Sequence, residues 1–589
     1  MSDLIVGIDL GTTNSELAIA RDGKVDVLPI HGHPIMPSCV GLDLAGNLVV
    51  GQAARNQLVA APERTILSIK RQMGEDAKVR LGEQEFSPEE ISSFILRELK
   101  LEAERLLGQP VAKAVVTVPA FFNERQRKAT QAAGALAGLE VVRIINEPTA
   151  AALAYGAGAT EGETMLVYDL GGGTFDVSVV VVEHGVVEVK ASHGDTHLGG
   201  DDFDQLLVDH AILEFKRQHN VDLVQDPRTL RRLKVVMERA KRTLSDEPFV
   251  LVREEYLDGQ HHLELELSRG DYEEMILPLI ERTLGCVHQS LNDARLAPKD
   301  IRKVMLVGGA TRTPLVQQLL RERLQLDPRF EIDPDLIVAM GAAIQGGVIA
   351  GQERHSILVD ITPHTYNTAA IAPHNGLEQL VCVPVIHRNT PLPASKAEML
   401  QTLYDNQPQA RIEVYQGEHP LPGGNTFIGD FLIEGLTEAP AGNRLVIHFD
   451  LDLNGILKVT ATEKITGLAK TVSIDTRGGH TLDLEVARRN IASLVELPDG
   501  LDDAAEEDSP EGEAPPAGAG EPGSSDLLTT AKDLRKRAEA LLQKTLSPED
   551  AAEIHQLLQQ TAAAVSAGDL DGLGEKNEAL SDLLFYLED

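Results

Sequence analysis

The sequence of 589 residues predicts three structural classes in succession: an α/β region to about residue 355, an all-β module, and a helical C-terminal part. Three observations support this. Buried-type strands alternate with helical periodicity to about residue 350, strand and turn signals follow one another from 364 to about 476, and helical periodicity returns after residue 526. With 42% apolar and 25% charged residues the chain can bury several cores, which excludes a fibre or wholesale disorder.

The charge balance excludes some partners. The 54 basic and 91 acidic residues give a net charge of −37, which repels phosphate backbones and anionic lipid, so we expect no nucleic acid and no membrane partner. Cys39, Cys286 and Cys382 lie far apart in the sequence without a C-x-x-C pair, which indicates a reducing compartment. Because we find neither a secretory signal nor an apolar run near the ~20 residues of a membrane span, we expect a cytoplasmic protein.

One short segment occurs twice. Ile5–Thr13 resembles Met165–Thr174, and each consists of a strand, an aspartate, a glycine turn and a hydroxyl. A second strand should follow each turn, at Glu16–Ala20 and at Phe175–Val182, so we predict two hairpins. A segment duplicated in this way suggests two lobes that face each other across a cleft.

A third glycine turn has a different continuation. The strand of Val304–Arg312 enters a glycine turn, and Pro314 then begins the helix Leu315–Leu324, which is the outline of a phosphate or ribose contact. Further predicted helices are Pro88–Leu107, Glu124–Ala137 and Leu230–Leu244.

The duplicated turns suggest a site for a magnesium nucleotide. Glycine lets backbone N–H groups approach phosphate oxygens, and Thr12, Thr13 and Thr174 add hydroxyl donors. Asp9 and Asp169 would repel phosphate unless Mg²⁺ lay between them. Either hairpin alone is more simply an ordinary turn, but two copies and a third glycine turn favour the site.

A second glycine pattern is not expected to bind a nucleotide. Gly518–Gly523 matches the G-x-G-x-x-G dinucleotide pattern, but no strand precedes it and Pro522 obstructs the required helix. It lies within residues 498–526, which carry ten acids and no base and are predicted to be a disordered linker. No G-K-[ST] phosphate loop occurs in the sequence.

The later part of the chain predicts strands joined by turns. Asn454-Gly455 is the strongest hairpin signal. The predicted strands are Leu380–Ile386, Glu398–Tyr404, Arg411–Tyr415, Arg444–Leu453 and Ile456–Ala461.

The sequence resembles the DnaK-type 70-kDa heat-shock proteins, molecular chaperones of the actin and sugar-kinase superfamily. The three signature segments are Ile8–Ser15, Asp169–Asp176 and Val307–Arg312. Further similar segments, in the same order, extend the resemblance from residue 4 to about 480: Ile69–Arg71, Val118–Phe122, Ile145–Ala151, Leu198–Asp204, Glu238–Ser245 and Arg388–Thr390.

The resemblance implies an α/β actin-like two-lobed ATPase domain, an all-β peptide-binding sandwich and a C-terminal α-helical bundle. The differences between this sequence and that family after Leu482 suggest a specialised bacterial paralogue with a shortened lid. The expected boundaries are 1–355 for the ATPase domain, 356–363 for the linker, 364–480 for the sandwich, 481–497 for a helix, 498–526 for the acidic linker and 527–589 for the bundle.

The resemblance also implies roles for residues that would bind ATP or ADP, Mg²⁺ and K⁺. Lys70 would contact the γ-phosphate, Glu147 would position the attacking water, and Asp9 and Asp169 would hold Mg²⁺ through water, with Thr174 completing the catalytic set. The other implied nucleotide contacts are Gly11, Thr12, Thr13, Asn14, Gly171, Gly172, Gly173, Gly199, Gly200, Asp201, Glu238, Lys241, Arg242, Ser245, Gly308, Gly309, Ala310, Arg312 and Asp335.

Two further sets of residues follow from the resemblance. Coupling between domains is implied for Pro119, Arg127, Arg143 and Asp360, the last two also facing a J-domain co-chaperone. Peptide binding is implied for Ile371, Leu400, Leu403, Ala410 and Ile412, although an alternating apolar residue in a strand is more often part of the core.

We therefore expect a monomeric ATP-dependent chaperone that binds exposed apolar segments of unfolded proteins and works with a J-domain protein and a nucleotide-exchange factor. One alternative is a non-cycling holdase or exchange partner that binds ATP structurally. Another is a small-molecule kinase, disfavoured because the β module has no place in such an enzyme.

Overall fold

The computed structural model describes most of the chain up to residue 495. The chain consists of two compact units, Met1–Leu501 and Asp502–Asp589. The fold below is that of the first unit, so the predicted acidic linker, the Gly518–Gly523 pattern and the C-terminal bundle lie outside the continuously described residues. The continuously described residues are 4–21, 23–156, 162–223, 226–329, 333–352, 357–374, 377–473 and 482–495. Residues 538, 557, 558, 560, 561 and 576 are described as single positions or pairs.

The described strands follow one another along the chain. They are β1 (Ile5–Leu10), β2 (Asn14–Arg21), β3 (Lys24–Val27), β4 (Met36–Pro37), β5 (Cys39–Leu42), β6 (Leu48–Val50), β7 (Thr65–Leu67), β8 (Val79–Leu81), β9 (Gln84–Phe86), β10 (Lys113–Val118), β11 (Glu140–Asn146), β12 (Glu163–Leu170), β13 (Phe175–Glu183), β14 (Val186–Asp195), β15 (Phe249–Glu254), β16 (Leu263–Ser268), β17 (Lys303–Val307), β18 (Pro328–Arg329), β19 (Ile357–Val359), β20 (Tyr366–His374), β21 (Leu377–Ile386), β22 (Ala394–Gln401), β23 (Gln409–Gln416), β24 (Thr426–Glu434), β25 (Arg444–Leu451), β26 (Leu457–Glu463) and β27 (Ala469–Ser473).

The helices begin and end at recognisable signals. Ser87 and Glu90 form a reciprocal capping box at the start of the second helix, and Gly108 ends it in the left-handed conformation. The described helices are α1 (Gln52–Asn56), α2 (Pro88–Leu107), α3 (Glu124–Leu136), α4 (Glu147–Gly156), α5 (Gly200–His219), α6 (Pro227–Asp246), α7 (Arg269–Asp293), α8 (Pro314–Leu324), α9 (Ile337–Ile349) and α10 (Leu484–Ile491). None of these is long and apolar enough to cross a membrane.

Two large sheets share one construction. In the first, β1 runs parallel to β10 and antiparallel to β2; in the second, β12 runs parallel to β17 and antiparallel to β13. The strand orders are β11-β10-β1-β2-β3, with β4 also against β2, and β18-β17-β12-β13-β14-β19. The two predicted hairpins are therefore confirmed, and each lies at the same place in its sheet.

Helices α4 and α9 pack between the two sheets. Their core includes Ala151 and Ile344 together with Ile5 of the first sheet and Val167 of the second. Small residues allow this close packing: a Cβ at Gly341 would lie 1.8 Å from the Ala150 carbonyl oxygen. Separate apolar cores cover the outer faces of the sheets, so the inner helices determine how far apart the two aspartate turns lie.

The all-β module consists of two four-stranded sheets, β21-β20-β23-β24 and β22-β25-β26-β27. Alternate residues of β25 and β26 are buried, and Phe431, Ile447, Phe449 and Val459 belong to the shared core. The Asn454-Gly455 hairpin is confirmed, with Gly455 in the left-handed region at φ 77°. The sequence missed β20, β24 and β27, whose mixed composition lacks a regular apolar alternation.

The segment expected to be a simple linker contains a strand. Ile357–Val359 forms β19, which pairs in parallel with Val186–Glu188 of β14 at the edge of the second sheet. The prediction missed this strand because three residues carry no periodic signal, and an edge strand depends on its partner for hydrogen bonds. The predicted helix at 481–497 is shorter than expected: α10 covers Leu484–Ile491, and its buried Ala487 and Ile491 belong to the core of the first sheet.

The β sandwich contacts the α/β region directly. The Ile144 amide donates to Asn454 Oδ1 at 3.0 Å, and Arg388 Nη2 lies 2.8 Å from Asp293 Oδ1. Asn490 of α10 also donates to Glu90 Oε1 at 2.9 Å. These bonds hold the sandwich and the α/β region in a docked arrangement.

Two titratable groups lie in this contact. His364 Nε2 is 3.0 Å from the Phe121 carbonyl oxygen, and burial lowers the pKa of His364 to about 4. Glu124 Oε1 accepts from the Leu457 amide at 3.3 Å, and burial raises the pKa of Glu124 to about 7, although nearby Lys128 acts in the opposite direction.

We predict that these two groups give docking opposite pH dependences. If undocking exposes them, the pKa values return towards 6.5 for His364 and 4.5 for Glu124. The contribution of His364 to the free energy of docking is then full at pH values above the pKa of the undocked state, and it is lost as the pH falls towards 4. The contribution of Glu124 is full at low pH and is lost as the pH rises through 7. Acidification by about two pH units from slightly alkaline conditions should weaken the His364 contribution about tenfold.

Energy transfer between dyes on the α/β region and the sandwich measures this docking. His364→Gln should dock more strongly than the unaltered chain in acid, and Glu124→Gln should dock more strongly than the unaltered chain as the pH rises through 7, because each amide stays neutral. Identical pH profiles for the two variants and the unaltered chain would contradict the prediction.

Candidate functional site

A cavity of about 910 Å³ lies where the two aspartate turns meet. Its walls come from the β1–β2 turn, the β12–β13 turn, α6 and the turn after β17. Of the predicted catalytic and nucleotide-binding residues, all but Gly173 and Gly199 line it. The structure therefore brings together residues predicted from sequence segments far apart in the chain.

The glycines of the turns are required by close packing. A Cβ at Gly172 would lie 1.9 Å from Thr13 Oγ1, and a Cβ at Gly199 would lie 2.4 Å from the Gly172 carbonyl oxygen. Gly173 packs on Thr12, where a Cβ would come within 2.7 Å of Cγ2. The two turns therefore touch through backbone and hydroxyls, and Gly173 and Gly199 support the cavity without lining it.

Thr13 has a hydroxyl that lacks a partner. Its Oγ1 is buried and makes no hydrogen bond to any described residue, although Thr13 lines the cavity. Thr12 and Thr174 are also buried at its edge. A buried donor without an acceptor is costly, so these turns fit a ligand with phosphate oxygens.

Lys70 and Glu147 form a buried ion pair in the cavity wall. Lys70 Nζ lies 2.5 Å from Glu147 Oε1, and the two residues are 4% and 8% exposed. Lys70 belongs to the short 3₁₀ helix Ile69–Gln72, and Glu147 is the first residue of α4. A cation and a carboxylate held at one point can contact a phosphate and a water molecule respectively.

Several buried carboxyl groups surround this pair. Burial, together with the Glu147 carboxylate, raises the pKa of Asp9 to about 7 and raises the pKa of Asp169 well above its usual range. Burial also raises the pKa of Asp176 to about 8, although the Ala120 and Phe121 amides donate to its carboxylate. Crowded acids of this kind fit Mg²⁺, which binds through one or two carboxylates, phosphate and water.

The other end of the cavity is lined by charged residues of α6 and of the turn after β17. Arg55 of α1 donates to Glu238 at 2.7 and 2.8 Å, and Arg242 also pairs with Glu238. Arg312 lies 2.8 Å from Asp335 Oδ2. Arg242 and Arg312, both implied nucleotide contacts, line the same cavity.

Charged residues that line the cavity without having been predicted include Arg55, Asp204 and Glu16. Arg55 joins the first half of the chain to α6 through Glu238, Asp204 pairs with Lys241 at 2.9 Å, and Glu16 lies opposite Asp9 in the β1–β2 ladder. Asp204 could have been found from the acidic start of α5, and Glu16 from hairpin pairing. Arg55 carried no signal because only the tertiary fold brings it to Glu238.

The four predicted coupling residues lie near the sandwich contact. Arg127 Nη2 donates to Asn146 Oδ1 at 2.6 Å, and Asn146 Nδ2 donates to both Asp360 oxygens at 3.0 and 3.1 Å. Pro119 directly follows β10, and Arg143 of β11 is buried. Asn146, which the sequence did not single out, is the residue that joins Arg127 to Asp360.

The predicted peptide-binding residues differ in exposure. Ile371 is 49% exposed and Leu403 59% exposed, whereas Leu400 and Ala410 pack partly against the sandwich core. Ile412 lies in that core at 2% exposure, because its side chain faces the opposite sheet. In this conformation Ile412 has no surface for a ligand.

Comparison with known proteins decides the family. The family model described as Hsp70 protein matches residues 5–80 and 75–584. The proteins named Chaperone protein DnaK from Thermotoga petrophila and Thermotoga maritima are each 46% identical over 505 residues, with 83% of this chain and 83% of the relative covered. The chain belongs to the Hsp70 family.

Family membership confirms the main functional prediction. The chain is an ATP-dependent molecular chaperone and an ATPase, so the non-cycling holdase and the small-molecule kinase are not favoured. The family implies an actin-like ATPase domain followed by a β sandwich, in agreement with the mixed α/β region and the two four-stranded sheets.

Gly172→Ala tests the packing of the two turns. The added Cβ would overlap Thr13 Oγ1, so the turns must separate and the backbone donors shift. Modest overpacking costs about 1.4 kcal/mol, which corresponds to a tenfold change in affinity. We therefore expect the affinity for ADP, measured by calorimetry, to fall at least about tenfold.

Gly285→Ala is the matched control. Gly285 lies within α7 with open space around the new Cβ. This substitution should leave ADP affinity unchanged and stabilise the helix by up to about 1 kcal/mol. Equal ADP affinity in both variants would show that the contact between the turns is dispensable.

Proposed function

We propose that ATP binds with its phosphates over the two aspartate turns and its adenosine between α6 and the turn after β17. Hydrolysis then controls capture and release of an extended apolar peptide by the β sandwich. The observation that carries this proposal is that the glycine turns, the Lys70–Glu147 pair and both magnesium-type carboxyls share one cavity. The Arg127–Asn146–Asp360 bonds begin at its edge and reach the linker.

The residues around the phosphates have separate proposed tasks. Lys70 neutralises charge on the γ-phosphate, which requires it to exchange part of its contact with Glu147 for phosphate. Glu147 accepts a hydrogen bond from the attacking water and orients it in line with the phosphorus. The hydroxyls of Thr12, Thr13 and Thr174 donate to phosphate oxygens.

Asp9 and Asp169 are the proposed holders of Mg²⁺, through its bound waters. The orphaned Thr13 hydroxyl and the raised pKa values of both carboxyls support this fit. Bound there, Mg²⁺ would neutralise phosphate charge and orient the phosphates. K⁺ is proposed as a further cation at the phosphates, on the family resemblance.

Coupling is proposed to follow the bonds around Asn146. Because Asn146 immediately precedes Glu147, a shift of Glu147 on phosphate binding moves the amide that holds Arg127 and Asp360. Asp360 ends the linker strand, and Arg127 Nη1 also lies 3.5 Å from the Asn454 carbonyl oxygen of the sandwich hairpin. The nucleotide and the sandwich therefore act on a common group of side chains.

The proposed partners follow from the family. They are unfolded proteins with exposed apolar segments, a J-domain co-chaperone that contacts Arg143 and Asp360, and a nucleotide-exchange factor. We propose that the chain acts as a monomer in the cytoplasm. The exposed Ile371 and Leu403 support a peptide-binding role better than the buried Ile412 does.

Lys70→Ala tests the catalytic assignment. ATP should still bind, because the turns and α6 remain, but single-turnover hydrolysis should slow about 10²- to 10³-fold with loss of the charge on the phosphate. Calorimetry and phosphate release measure the two effects separately.

Lys78→Ala is the control, since Lys78 is exposed and close in sequence. It should hydrolyse ATP at the original rate. Full hydrolysis by Lys70→Ala would refute the role of Lys70, and Glu147→Gln then tests whether the pair acts at all.

Asn454→Ala tests the coupling. It removes the acceptor of the Ile144 amide, and we expect the ATPase stimulation by an apolar peptide to fall several-fold while the basal rate stays the same. Lys458→Ala, at an exposed position of the adjoining strand, should retain full stimulation. The rate ratio with and without peptide is the measurement, and equal ratios in both variants would place the coupling elsewhere.

A further inference from the structure

Glu16 is a buried carboxyl in the cavity that the proposed mechanism does not use. It lies directly opposite Asp9 in the antiparallel β1–β2 ladder, so both side chains lie on the same face of the sheet, about 5 Å apart at Cβ. Both line the cavity. Glu16 is 4% exposed, and its carboxylate makes no hydrogen bond or ion pair with any described residue.

Asp9 does not balance the negative charge of Glu16. Its Oδ1 accepts a hydrogen bond from Thr117 Oγ1 at 2.6 Å, and the like charge of Glu16 opposes it across the ladder. Like charges directly opposite in a ladder are destabilising, and burial increases the cost. A cation would offset the cost of keeping both acids charged at this place.

The basic residues of the cavity do not supply that charge. The five that line it are Arg55, Lys70, Lys241, Arg242 and Arg312. Each is already paired with another carboxylate: Arg55 and Arg242 with Glu238, Lys70 with Glu147, Lys241 with Asp204, and Arg312 with Asp333 and Asp335. Asp9 and Glu16 are left without a cationic partner among the described residues.

We propose that Glu16 and Asp9 bind a second divalent cation beside the nucleotide phosphates, in addition to the cation held between the two aspartate turns. This inference rests on the proposed nucleotide site. The described residues contain no group of three or more His, Cys, Asp or Glu side chains arranged for a metal ion. The protein supplies two carboxylates, and water and a phosphate oxygen complete the shell, as is usual for Mg²⁺.

The charge of the pair favours a divalent over a monovalent cation. One divalent ion neutralises both carboxylates, whereas a monovalent ion leaves one uncompensated charge in a buried place. The nucleotide contributes a necessary ligand, so the second ion should bind with the nucleotide and not to the free chain.

Mn²⁺ binding to the full chain tests the proposal. After removal of metal with a chelator, electron paramagnetic resonance counts free Mn²⁺ during titration in the presence of saturating ADP. The unaltered chain should bind about two Mn²⁺ per ADP, and Glu16→Gln about one, because the amide cannot replace the lost charge. Metal-free ADP should also bind more tightly to Glu16→Gln, since a negative charge near the phosphates is removed.

Glu266→Gln is the matched control: it makes the same change at an exposed position of β16 and should retain both ions. The single Mn²⁺ that remains in Glu16→Gln shows that this variant still folds a nucleotide site. An equal Mn²⁺ count in the unaltered chain and Glu16→Gln would overturn the proposal, and so would displacement of the second ion by excess KCl. Absence of any ADP binding by the unaltered chain would overturn the proposed function as well.

Discussion

The contact between the two glycine turns is the constraint on which the rest of the cavity depends. A Cβ at Gly172 or Gly199 would overlap the neighbouring turn, so only bare backbone allows the hairpins to approach this closely. The approach itself is fixed from behind by α4 and α9, which pack through alanine and glycine between the sheets. A packing requirement within the core therefore determines the distance between the two aspartate turns.

That close approach has an electrostatic consequence. It brings Asp9, Glu16, Glu147 and Asp169 into one buried space in which Lys70 is already paired with Glu147. Burial disfavours the charged form of each carboxyl, as the raised pKa values of Asp9 and Asp169 show. Cations that arrive with a nucleotide would compensate the charge of these acids.

The same region connects the cavity to the β sandwich. Asn146 and Glu147 are consecutive, yet one lies among interdomain hydrogen bonds and the other faces the cavity. Since β11 ends and α4 begins between them, the proposed coupling would carry a movement of Glu147 directly to Arg127 and Asp360. Such coupling would need no long chain of contacts between the two sites.

Much of this arrangement is local and therefore readable from the sequence. The Asp-Leu-Gly turns, the Pro314 helix start and the Asn454-Gly455 hairpin depend on glycine and proline backbone preferences, which act over a few residues. The nucleotide-binding residues were predicted through family resemblance, and the structure places them around one cavity or directly beneath it. Short elements such as β19 could not be predicted, because their hydrogen bonds come from a distant strand.

The sequence by itself determined the chemical groups and the hairpins that present them. Only the tertiary structure decided which charges are paired: Arg55 with Glu238 and Lys241 with Asp204, whereas Glu16 has no cationic side chain as partner among the described residues. It also decided that Asn146 joins Arg127 to Asp360 and that Ile412 lies inside the sandwich. The physical reason is that backbone preference is local, whereas ion pairing and burial depend on residues that only the complete fold brings together.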